Sequence, residues 1–263
     1  MNKVARPLAK LASTPRRPLP LPAYNNNTSF TFSSSSTRLS SLPVTTPTTK
    51  RLFTTTNPLK MAANAQTLID LATARRSYYP LSKDLTITPA RVQEIVKELL
   101  NQVPSSFNSQ SNRVVVLFGA EHEKLWDITT EILKAIVPAE QFESTANKMG
   151  MFKGAAGTVL FYEDQKVVNG MQEKFAIYAD RFPTWATQSN AMLQYAVWTA
   201  LEAEGLGANL QHYNPLVDER VAAEWKVPAD WKLSAMLVFG GKTGEAGPKD
   251  FKPFEEKFKA YGA

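Results

Sequence analysis

The longest helical pattern in the sequence is apolar on more than one face. It covers residues 184–204. Its apolar side chains form three sets at helical spacing: Met192, Ala196 and Ala200; Leu193, Val197 and Leu201; and Trp185, Tyr195 and Trp198. A helix that is apolar most of the way round must be covered on most sides. In a chain of 263 residues, this pattern predicts a central helix that also packs against a second subunit.

Charge is distributed unevenly between the first 60 residues and the rest of the chain. Residues 1–60 contain nine Lys and Arg and no Asp or Glu. Removing these nine from the 30 Lys and Arg of the chain leaves 21 against 24 Asp and Glu, so residues 61–263 carry a net charge of about −3. A nucleic-acid-binding domain needs a basic surface. The acidic balance of residues 61–263 therefore argues against that function.

Residues 1–60 are rich in Ser, Thr, Pro and Arg. Such a segment buries too little apolar surface to offset the entropy of ordering its backbone, so we expect it to be disordered. Its composition is also typical of organelle transit peptides, and Arg51 lies where mitochondrial processing after Phe53 would need it. The alternative is a low-complexity tail without a targeting role. We predict import into the mitochondrial matrix, with a start at Met61 giving a cytoplasmic form.

Composition also limits the kinds of catalytic group and metal site that the chain can form. The chain has no Cys and only two His residues, His122 and His212, so it lacks thiolate nucleophiles and Cys-ligated metal sites. His122 lies between two glutamates, and we expect it to be solvated in the first turn of a helix. No apolar run reaches the 18 or so residues of a membrane-spanning helix, so no membrane span is expected.

Alternating strand and helix patterns predict an α+β domain over residues 61–263. Strands are predicted at residues 113–119, 157–162, 208–211 and 233–239. Helices are predicted at residues 63–73, from Pro89 to just before Pro104, and at residues 121–137, 165–181 and 184–204, with a basic C-terminal helix after Lys249. The helix at residues 121–137 is expected to turn Leu125, Trp126, Ile128, Ile132 and Ile136 inward. Gly205 is expected to end the long helix in the left-handed conformation.

A short cationic motif follows the first predicted helix. Arg75-Arg76-Ser77 supplies two guanidinium groups and a hydroxyl, and Pro80 is expected to end the helix. A guanidinium can hold a phosphate through two parallel hydrogen bonds, so the motif favours a phosphate site. The alternative is that Arg75 and Arg76 are solvated charges that complement the helix dipole.

Three later stretches extend this motif. They are Pro-Ser-Ser-Phe-Asn-Ser-Gln at residues 104–110, the long helix from Trp185 that runs into Gly-Leu-Gly at residues 205–207, and Pro248-Lys249. Together, in this order, the four stretches resemble the nitroreductase superfamily of FMN-dependent oxidoreductases, in particular its fungal branch. The resemblance covers the chain from about Ala63 to Gly262.

The resemblance implies a fold and a cofactor site. The fold would be a central mixed, mostly antiparallel sheet flanked by helices, with the long helix at a homodimer interface. FMN would be held by its phosphate and ribityl chain at Arg75, Arg76, Ser77 and Lys249. Ser105, Ser106 and Asn108 would approach the flavin ring from the partner subunit.

The resemblance also marks positions close to the flavin ring. Gln211 and His212 fall where the family's chain passes the ring edge, although His212 could instead be an ordinary residue at a strand end. Tyr79 stands where the family often has a basic residue near the ring, and Phe251 replaces a second cation after Lys249. Less positive charge is therefore expected around the cofactor.

The activity implied by the resemblance is a ping-pong reduction in which NAD(P)H is the hydride donor. Nitroaromatics, quinones or similar flat electrophiles would be the acceptors, as in a role against oxidative stress. Phe175 and Tyr178 could line the acceptor pocket, but aromatic residues at this spacing are more often core. Two alternatives stay open: a flavin-binding regulatory or stress-response protein with little turnover, and a cofactor-free helical interaction domain.

Overall fold

The computed structural model describes residues 64–263 of the protein. The predicted disorder and transit function of residues 1–60, the processing position after Phe53 and the start at Met61 lie outside the described residues. Within the described part of the chain, no helix is long and apolar enough to cross a membrane.

A sheet of five strands forms the centre of the described domain. The strands are Leu81–Ser82 (β1), Asn112–Phe118 (β2), Gly157–Asp164 (β3), Leu206–Gln211 (β4) and Trp231–Lys242 (β5). The long strand β5 pairs with β3, β4 and β1, and β2 pairs with the far side of β3; every one of these ladders is antiparallel. A single parallel bridge joins Ser77 to Ala208. The predicted mixed, mostly antiparallel sheet is confirmed.

Seven α-helices flank the sheet in the described residues. They are Ala65–Ala74 (α1), Pro89–Gln102 (α2), Gly119–Ile136 (α3), Ala139–Lys153 (α4), Gln165–Lys174 (α5), Phe182–Ala203 (α6) and Asp218–Trp225 (α7). Helix α2 begins as predicted, because the Thr88 side chain accepts a hydrogen bond from the Arg91 N–H at 3.2 Å, and Pro89 has no N–H that would need an acceptor in the first turn. Gly205 has a positive φ of 84° just after α6, as expected.

Both faces of the sheet are buried. Along β3, Val159 and Phe161 point to the α2 and α6 side, whereas Leu160 and Tyr162 point to the α3, α4 and α7 side. Strand β5 alternates in the same way. This explains why both strands have uninterrupted apolar sequences. Burying each such side chain is worth roughly 1.5–3 kcal/mol, so these two strands and their helices dominate the stability of the domain.

Helix α6 is covered on only part of its surface. Leu193, Val197 and Leu201 are fully buried against the sheet, whereas Met192 and Tyr195 are 44% and 42% exposed. Helix α1 packs on α6 and has no buried residue. The single chain therefore leaves one apolar side of α6 open, as the sequence pattern predicted.

Several predictions about individual elements were wrong. Helix α1 ends at Ala74, well before Pro80, and Ile136 at the end of α3 is exposed. Helix α5 stops at Lys174 and is followed by a separate 3₁₀ turn at Ala176–Tyr178. Helices α4 and α7 were missed, because they bury only two residues and one residue respectively and so have weak apolar stripes.

The predicted basic C-terminal helix is absent. Beyond Lys249, the structure contains only the 3₁₀ turn at Phe254–Glu256, and every residue there is exposed. A short helix is marginal in water without an apolar face to pack, and all of these residues are exposed in the part of the chain that the structure describes.

Candidate functional site

Early and late parts of the sequence meet in one cleft of about 340 Å³. We call it the cationic cleft, and it is lined by Arg75, Arg76, Ser77, Tyr79, Gly247, Pro248 and Lys249. Its lining residues include three cations and two hydroxyls, and no Asp or Glu is among them. The four phosphate-binding residues implied by the resemblance, and Tyr79, therefore lie together. The volume lies within the usual range of ligand pockets, roughly 300–1,000 Å³.

Strand β4 positions the early side of the cleft. After α1 ends, the Tyr78 N–H donates to the Ala208 carbonyl at 3.0 Å, next to the parallel bridge at Ser77. The Asn209 side-chain amide donates to the Tyr78 carbonyl at 2.7 Å. Gln211 in turn donates to the Asn209 side-chain oxygen at 2.8 Å. Gln211, which the resemblance placed at the flavin ring, is thus buried and supports the cleft through Asn209.

The late side of the cleft is tied to the early side. The Arg76 guanidinium donates a hydrogen bond to the Gly247 carbonyl. The Thr243 N–H donates to the Pro80 carbonyl at 3.1 Å. Pro80 therefore helps to fasten the loop after β5, in contrast to its predicted role of ending α1.

Arg75 is held by two aromatic rings of α6. Its guanidinium carbon lies 4.5 Å from the centre of the Trp198 ring and 5.8 Å from that of Tyr195. Its Nε atom is buried and has no hydrogen-bond partner among the described residues. The alternative of a solvated helix-end charge does not describe this arrangement, because the side chain is stacked and half-buried. Trp198 and Tyr195 were recognised in the sequence only as part of an apolar stripe.

A phosphate suits this set of groups. A buried donor without an acceptor costs about 1–3 kcal/mol, and a phosphate oxygen near Arg75 Nε would remove that cost. Arg76, Ser77 and Lys249 offer further donors, and charge-assisted hydrogen bonds to phosphate are among the stronger ones in proteins. The cleft therefore fits the phosphate end of FMN on its own chemistry.

Lys249 is an exposed member of this set. Its ammonium lies 5.1 Å from the centre of the Phe251 ring, so the residue that replaces the family's second cation supports the first by a cation–π contact. Such contacts are worth roughly 0.5–1 kcal/mol at exposed sites. Phe251 can orient Lys249, but it adds no charge to the cleft.

Tyr79 connects the cleft to the core. Its ring lies 6.5 Å from that of Phe152 on α4. Nearby, burial raises the pKa of the Tyr213 hydroxyl to about 12, with a smaller contribution from Tyr79. Tyr213 is therefore a neutral hydrogen-bond donor at physiological pH. His212, just beyond β4, is exposed.

His122 is buried, and the prediction that it is solvated was wrong. Its Nε2–H donates to the Phe152 carbonyl at 3.1 Å, which leaves Nδ1 to accept from the Thr158 hydroxyl at 2.9 Å. The Trp126 N–H donates to the same hydroxyl oxygen at 3.2 Å. Burial lowers the pKa of His122 to about 4. The signal was present in the sequence, since His122 precedes Leu125 and Trp126 by three and four residues on the inward face of α3.

Residues 104–111, which we call the serine loop, lie outside the cationic cleft. Ser105, Ser106 and Asn108 are not among the residues that line that cleft. The loop contains the 3₁₀ turn at Ser106–Asn108, and Phe107, Asn108 and Gln110 have positive φ values of 57°, 51° and 52°. In one chain the structure therefore separates the two groups of predicted cofactor contacts.

Phe107 anchors the serine loop in an aromatic cluster. The centre of its ring lies 4.7 Å from that of Phe175, 5.6 Å from Phe182, 6.0 Å from Trp185 and 6.1 Å from Tyr178. Phe175 and Tyr178 pack against the small core cluster of Val168, Phe182 and Ala186. The two residues predicted as pocket lining are thus half-buried packing partners of the loop.

Known proteins are similar to this chain over most of the described residues. The model of the nitroreductase family matches residues 72–241. The HBN1 protein of Saccharomyces cerevisiae, named as a nitroreductase, is 36% identical over 187 residues, which is 70% of this chain and 93% of that protein.

Two solved structures extend the comparison. The nitroreductase CinD from Lactococcus lactis is 44% identical to this chain, with a TM-score of 0.70. The match covers 74% of this chain and 100% of CinD. CinD was solved in separate complexes with nicotinic acid, with chloramphenicol and with 4-nitrophenol. The FMN-dependent nitroreductase NfnB from Mycobacterium smegmatis, solved with NADPH, is 16% identical with a TM-score of 0.58 over 75% of this chain and 99% of its own, a likeness of fold alone.

Proposed function

Because the chain belongs to the nitroreductase family of oxidoreductases, as its sequence motifs indicated, we propose that it binds FMN and reduces nitroaromatics, quinones or similar flat electrophiles with NAD(P)H. The observation that carries this proposal is the cationic cleft, in which Arg75 and Arg76 lie with Lys249 and without any acidic lining residue. When bound, FMN supplies the hydride-accepting and hydride-donating chemistry of a ping-pong cycle.

The residues of the cleft bind and orient the cofactor. Arg75, Arg76, Ser77 and Lys249 hold the phosphate and ribityl end. Tyr79 offers a hydroxyl next to them but no positive charge, so the cleft stabilises negative charge less strongly than one with a cation at this position. No side chain has to act as a nucleophile, which suits a chain without cysteine.

The proposed active unit is a homodimer. The exposed apolar side chains of Leu68, Ile69, Met192 and Tyr195 lie on α1 and α6, next to Arg75. Exposed apolar patches of this kind mark subunit interfaces. A dimer would also bring the Ser105, Ser106 and Asn108 side chains of one protomer to the FMN bound by the other, which explains why one chain keeps them apart.

The relatives support the proposed substrates. CinD was solved with 4-nitrophenol and with chloramphenicol, and both are nitroaromatic compounds. NfnB was solved with NADPH. By this likeness NAD(P)H and a flat nitroaromatic or quinone would use the same site in turn. Phe175 and Tyr178 remain candidates for its apolar wall, through their contact with the serine loop.

A second candidate function is a flavin-binding regulatory or stress-response protein with little turnover. The observation that favours it is the absence of a cation at two positions, Tyr79 and Phe251. Weaker stabilisation of negative charge at the flavin slows its reduction. The two functions share the cofactor site and differ only in the rate of electron transfer.

The absorption spectrum of the purified full-length protein, supplied with FMN and then dialysed, separates these functions. A reductase would retain yellow colour, be bleached by NADPH without oxygen and regain its colour on adding a quinone or 4-nitrophenol. A regulatory protein would stay yellow and react slowly. Protein that is colourless after dialysis, under conditions where it is folded, contradicts both.

We also propose that residues 1–60 direct the chain to the mitochondrial matrix, and that a form starting at Met61 stays in the cytoplasm. The acid-free, Arg- and Ser-rich composition supports this proposal. Expression of the full chain and of a chain starting at Met61, each with a C-terminal fluorescent tag, tests it. A mature N-terminus found at or shortly after residue 54 supports processing after Phe53, and identical cytoplasmic fluorescence of both forms contradicts the proposal.

A further inference from the structure

The serine loop adopts a conformation that its own sequence disfavours. Phe107, Asn108 and Gln110 all have positive φ, a region that side chains other than Gly rarely occupy. Within the loop, the Ser105 hydroxyl accepts from the Gln110 N–H at 2.9 Å, and the Asn108 N–H donates to the Ser105 carbonyl at 2.9 Å. Such strain persists when the surrounding structure imposes it. The aromatic cluster around Phe107 restrains the tip of the loop, and a second set of contacts lies at its base.

Ser189 of α6 binds the chain on both sides of the serine loop. Its hydroxyl donates to the Pro104 carbonyl at 2.9 Å, where the loop begins. The same hydroxyl oxygen accepts from the Asn112 side-chain amide at 3.2 Å, where the loop has ended and β2 begins. That amide also lies 3.4 Å from the Ser189 carbonyl. Ser189 is 1% exposed, so a single buried side chain closes the loop.

Two further amides keep this arrangement in place. The Asn190 amide donates to the Asn112 side-chain oxygen at 3.2 Å and to the Tyr162 carbonyl of β3 at 2.9 Å. The Gln194 amide, one turn later on α6, donates to the Asn190 side-chain oxygen at 2.6 Å. All four polar side chains are at least nine-tenths buried. The network therefore runs from the centre of the sheet to the base of the loop.

Packing alone does not explain these residues. Buried polar side chains avoid a cost in free energy only when they are hydrogen-bonded, and apolar residues of similar shape in place of all the partners could fill the same space with little change in stability. What an apolar residue could not supply is a directed bond to the Pro104 carbonyl and a fixed distance from Pro104 to Asn112. The network thus specifies the conformation of the serine loop.

We propose that Ser189 is a positioning residue, which Asn112, Asn190 and Gln194 hold in place so that the serine loop presents Ser105, Ser106 and Asn108 to the FMN bound by the other protomer. This inference rests on the proposed function. Ser189 contacts neither substrate nor cofactor, and it acts through the loop. The aromatic cluster around Phe107 holds the tip of the loop, and Ser189 holds its base.

The Ser189→Ala substitution in the full-length protein tests this role. It removes the bond to the Pro104 carbonyl and the bond from the Asn112 amide to the hydroxyl, and it leaves the helix intact. Hydrogen–deuterium exchange of the amides at residues 105–110 should become roughly five- to tenfold faster, as expected for the loss of one hydrogen bond that restrains local opening. In protein saturated with FMN, reduction by NADPH should slow by roughly fivefold or more, because small displacements at a reacting centre reduce rates.

Thr187→Ala is the matched control, since the Thr187 hydroxyl is exposed on the same helix and bonds only the Pro183 carbonyl at 3.2 Å. It should leave both measurements unchanged. Ser189→Cys keeps the volume with a weaker donor and should give intermediate values in both. If Ser189→Ala does not fold, Ser189→Cys alone decides, and values equal to those of Thr187→Ala overturn the proposal.

Loop exchange and flavin reduction together distinguish a failure of this proposal from a failure of the proposed function. Unchanged loop exchange in Ser189→Ala overturns the role of Ser189 whatever the flavin does. Faster loop exchange with an unchanged rate of reduction shows a structural role only, and also overturns the proposal. Wild-type protein that binds no FMN contradicts the proposed function itself. In that case, hydrogen–deuterium exchange still shows whether Ser189 restrains the serine loop.

Discussion

The cationic cleft and the serine loop carry the two groups of residues assigned to one cofactor, yet their hydrogen bonding differs. In the cleft, Arg75 has a buried Nε atom without a hydrogen-bond partner in residues 64–263. At the base of the loop, the amides of Asn112, Asn190 and Gln194 each have an acceptor within the same chain. The cleft is electrostatically incomplete without a ligand, whereas the loop is organised in advance.

This difference indicates a division of labour. A cleft with excess positive charge supplies binding free energy once an anion enters. A preorganised neutral loop supplies little affinity, but it holds polar groups in position without reorganisation at the moment of reaction. Substitutions in the cleft should therefore change mainly cofactor affinity, and substitutions around the loop should change mainly rate.

The largest expected effect comes from a substitution that breaks the proposed homodimer. It would separate the cationic cleft of one protomer from the serine loop of the other. Met192→Glu places a charge on the exposed apolar side of α6 and should give monomers that bind FMN roughly 100-fold or more weakly, since an unpaired buried charge costs several kcal/mol. Met151→Glu is the matched control on α4, where Met151 is similarly exposed. Analytical ultracentrifugation and FMN titration measure the outcome. A dimeric Met192→Glu variant with normal affinity would disprove the interface.

A smaller loss of FMN affinity is expected from a substitution in the cationic cleft alone. Arg75→Ala should weaken FMN binding by roughly 10- to 100-fold, because a charge-assisted hydrogen bond contributes about 1.5–3 kcal/mol. The rate of reduction at saturating FMN should change little. Arg91→Ala is the control, since Arg91 pairs with Glu94 and Glu204 at the surface of α2. Equal Kd values for the two variants, measured by fluorescence quenching of FMN, would remove Arg75 from the site.

The support beneath the cleft can be tested through pH. His122 bonds Phe152, whose ring contacts Tyr79, and its pKa is lowered from 6.5 to about 4 by burial. Between these pH values the unfolded chain binds a proton that the folded chain does not. The free energy of unfolding should therefore fall as pH falls from 6.5 to 4, and the stabilising contribution of neutral His122 should be fully present above pH 6.5. The contribution is about 3 kcal/mol at most.

Urea unfolding at several pH values checks this expectation. His122→Gln should flatten the dependence between pH 4 and 6.5, while His212→Gln, at the exposed histidine, is the control. A slope that is the same in wild-type protein and in His122→Gln would show that His122 is not the group responsible.

The smallest effect is expected at Tyr79. Tyr79→Arg restores a cation beside the cleft and should raise the midpoint potential of bound FMN by about 20 mV, as expected for roughly 1 kcal/mol between charges in a solvated site. Tyr79→Phe, which removes only the hydroxyl, should not raise it. Spectroelectrochemical titration distinguishes the variants. A lower potential in Tyr79→Arg would indicate that the residue does not face the cofactor.

Much of the domain could be predicted from local patterns. The strands at residues 157–162 and 233–239 were evident because both faces of each are buried, which makes them continuously apolar. Helix α2 was evident from Thr88 and Pro89. Helices α4 and α7 were missed because few of their residues are buried. The C-terminal helix was predicted wrongly, because helical spacing does not produce a helix without a surface to pack on.

The candidate site was predictable in part. Composition and motif pointed to Arg75, Arg76, Ser77 and Lys249, and these residues share one cleft. The stacking of Arg75 on Trp198 and the bond from Ser189 to Pro104 were not predictable. Each joins residues distant in sequence, and neither leaves a periodic signal of its own.

The amino-acid sequence by itself determined the main strands and several of the helices, that the long helix has more apolar surface than one domain covers, and where the cationic side chains of the cleft stand along the chain. These properties follow from side-chain chemistry at fixed local spacing. Only the tertiary structure decided that the end of α1 meets the loop after β5, and that one serine of α6 closes the loop before β2. Such contacts between distant segments depend on strand order, register and helix packing, which are set by the whole core together.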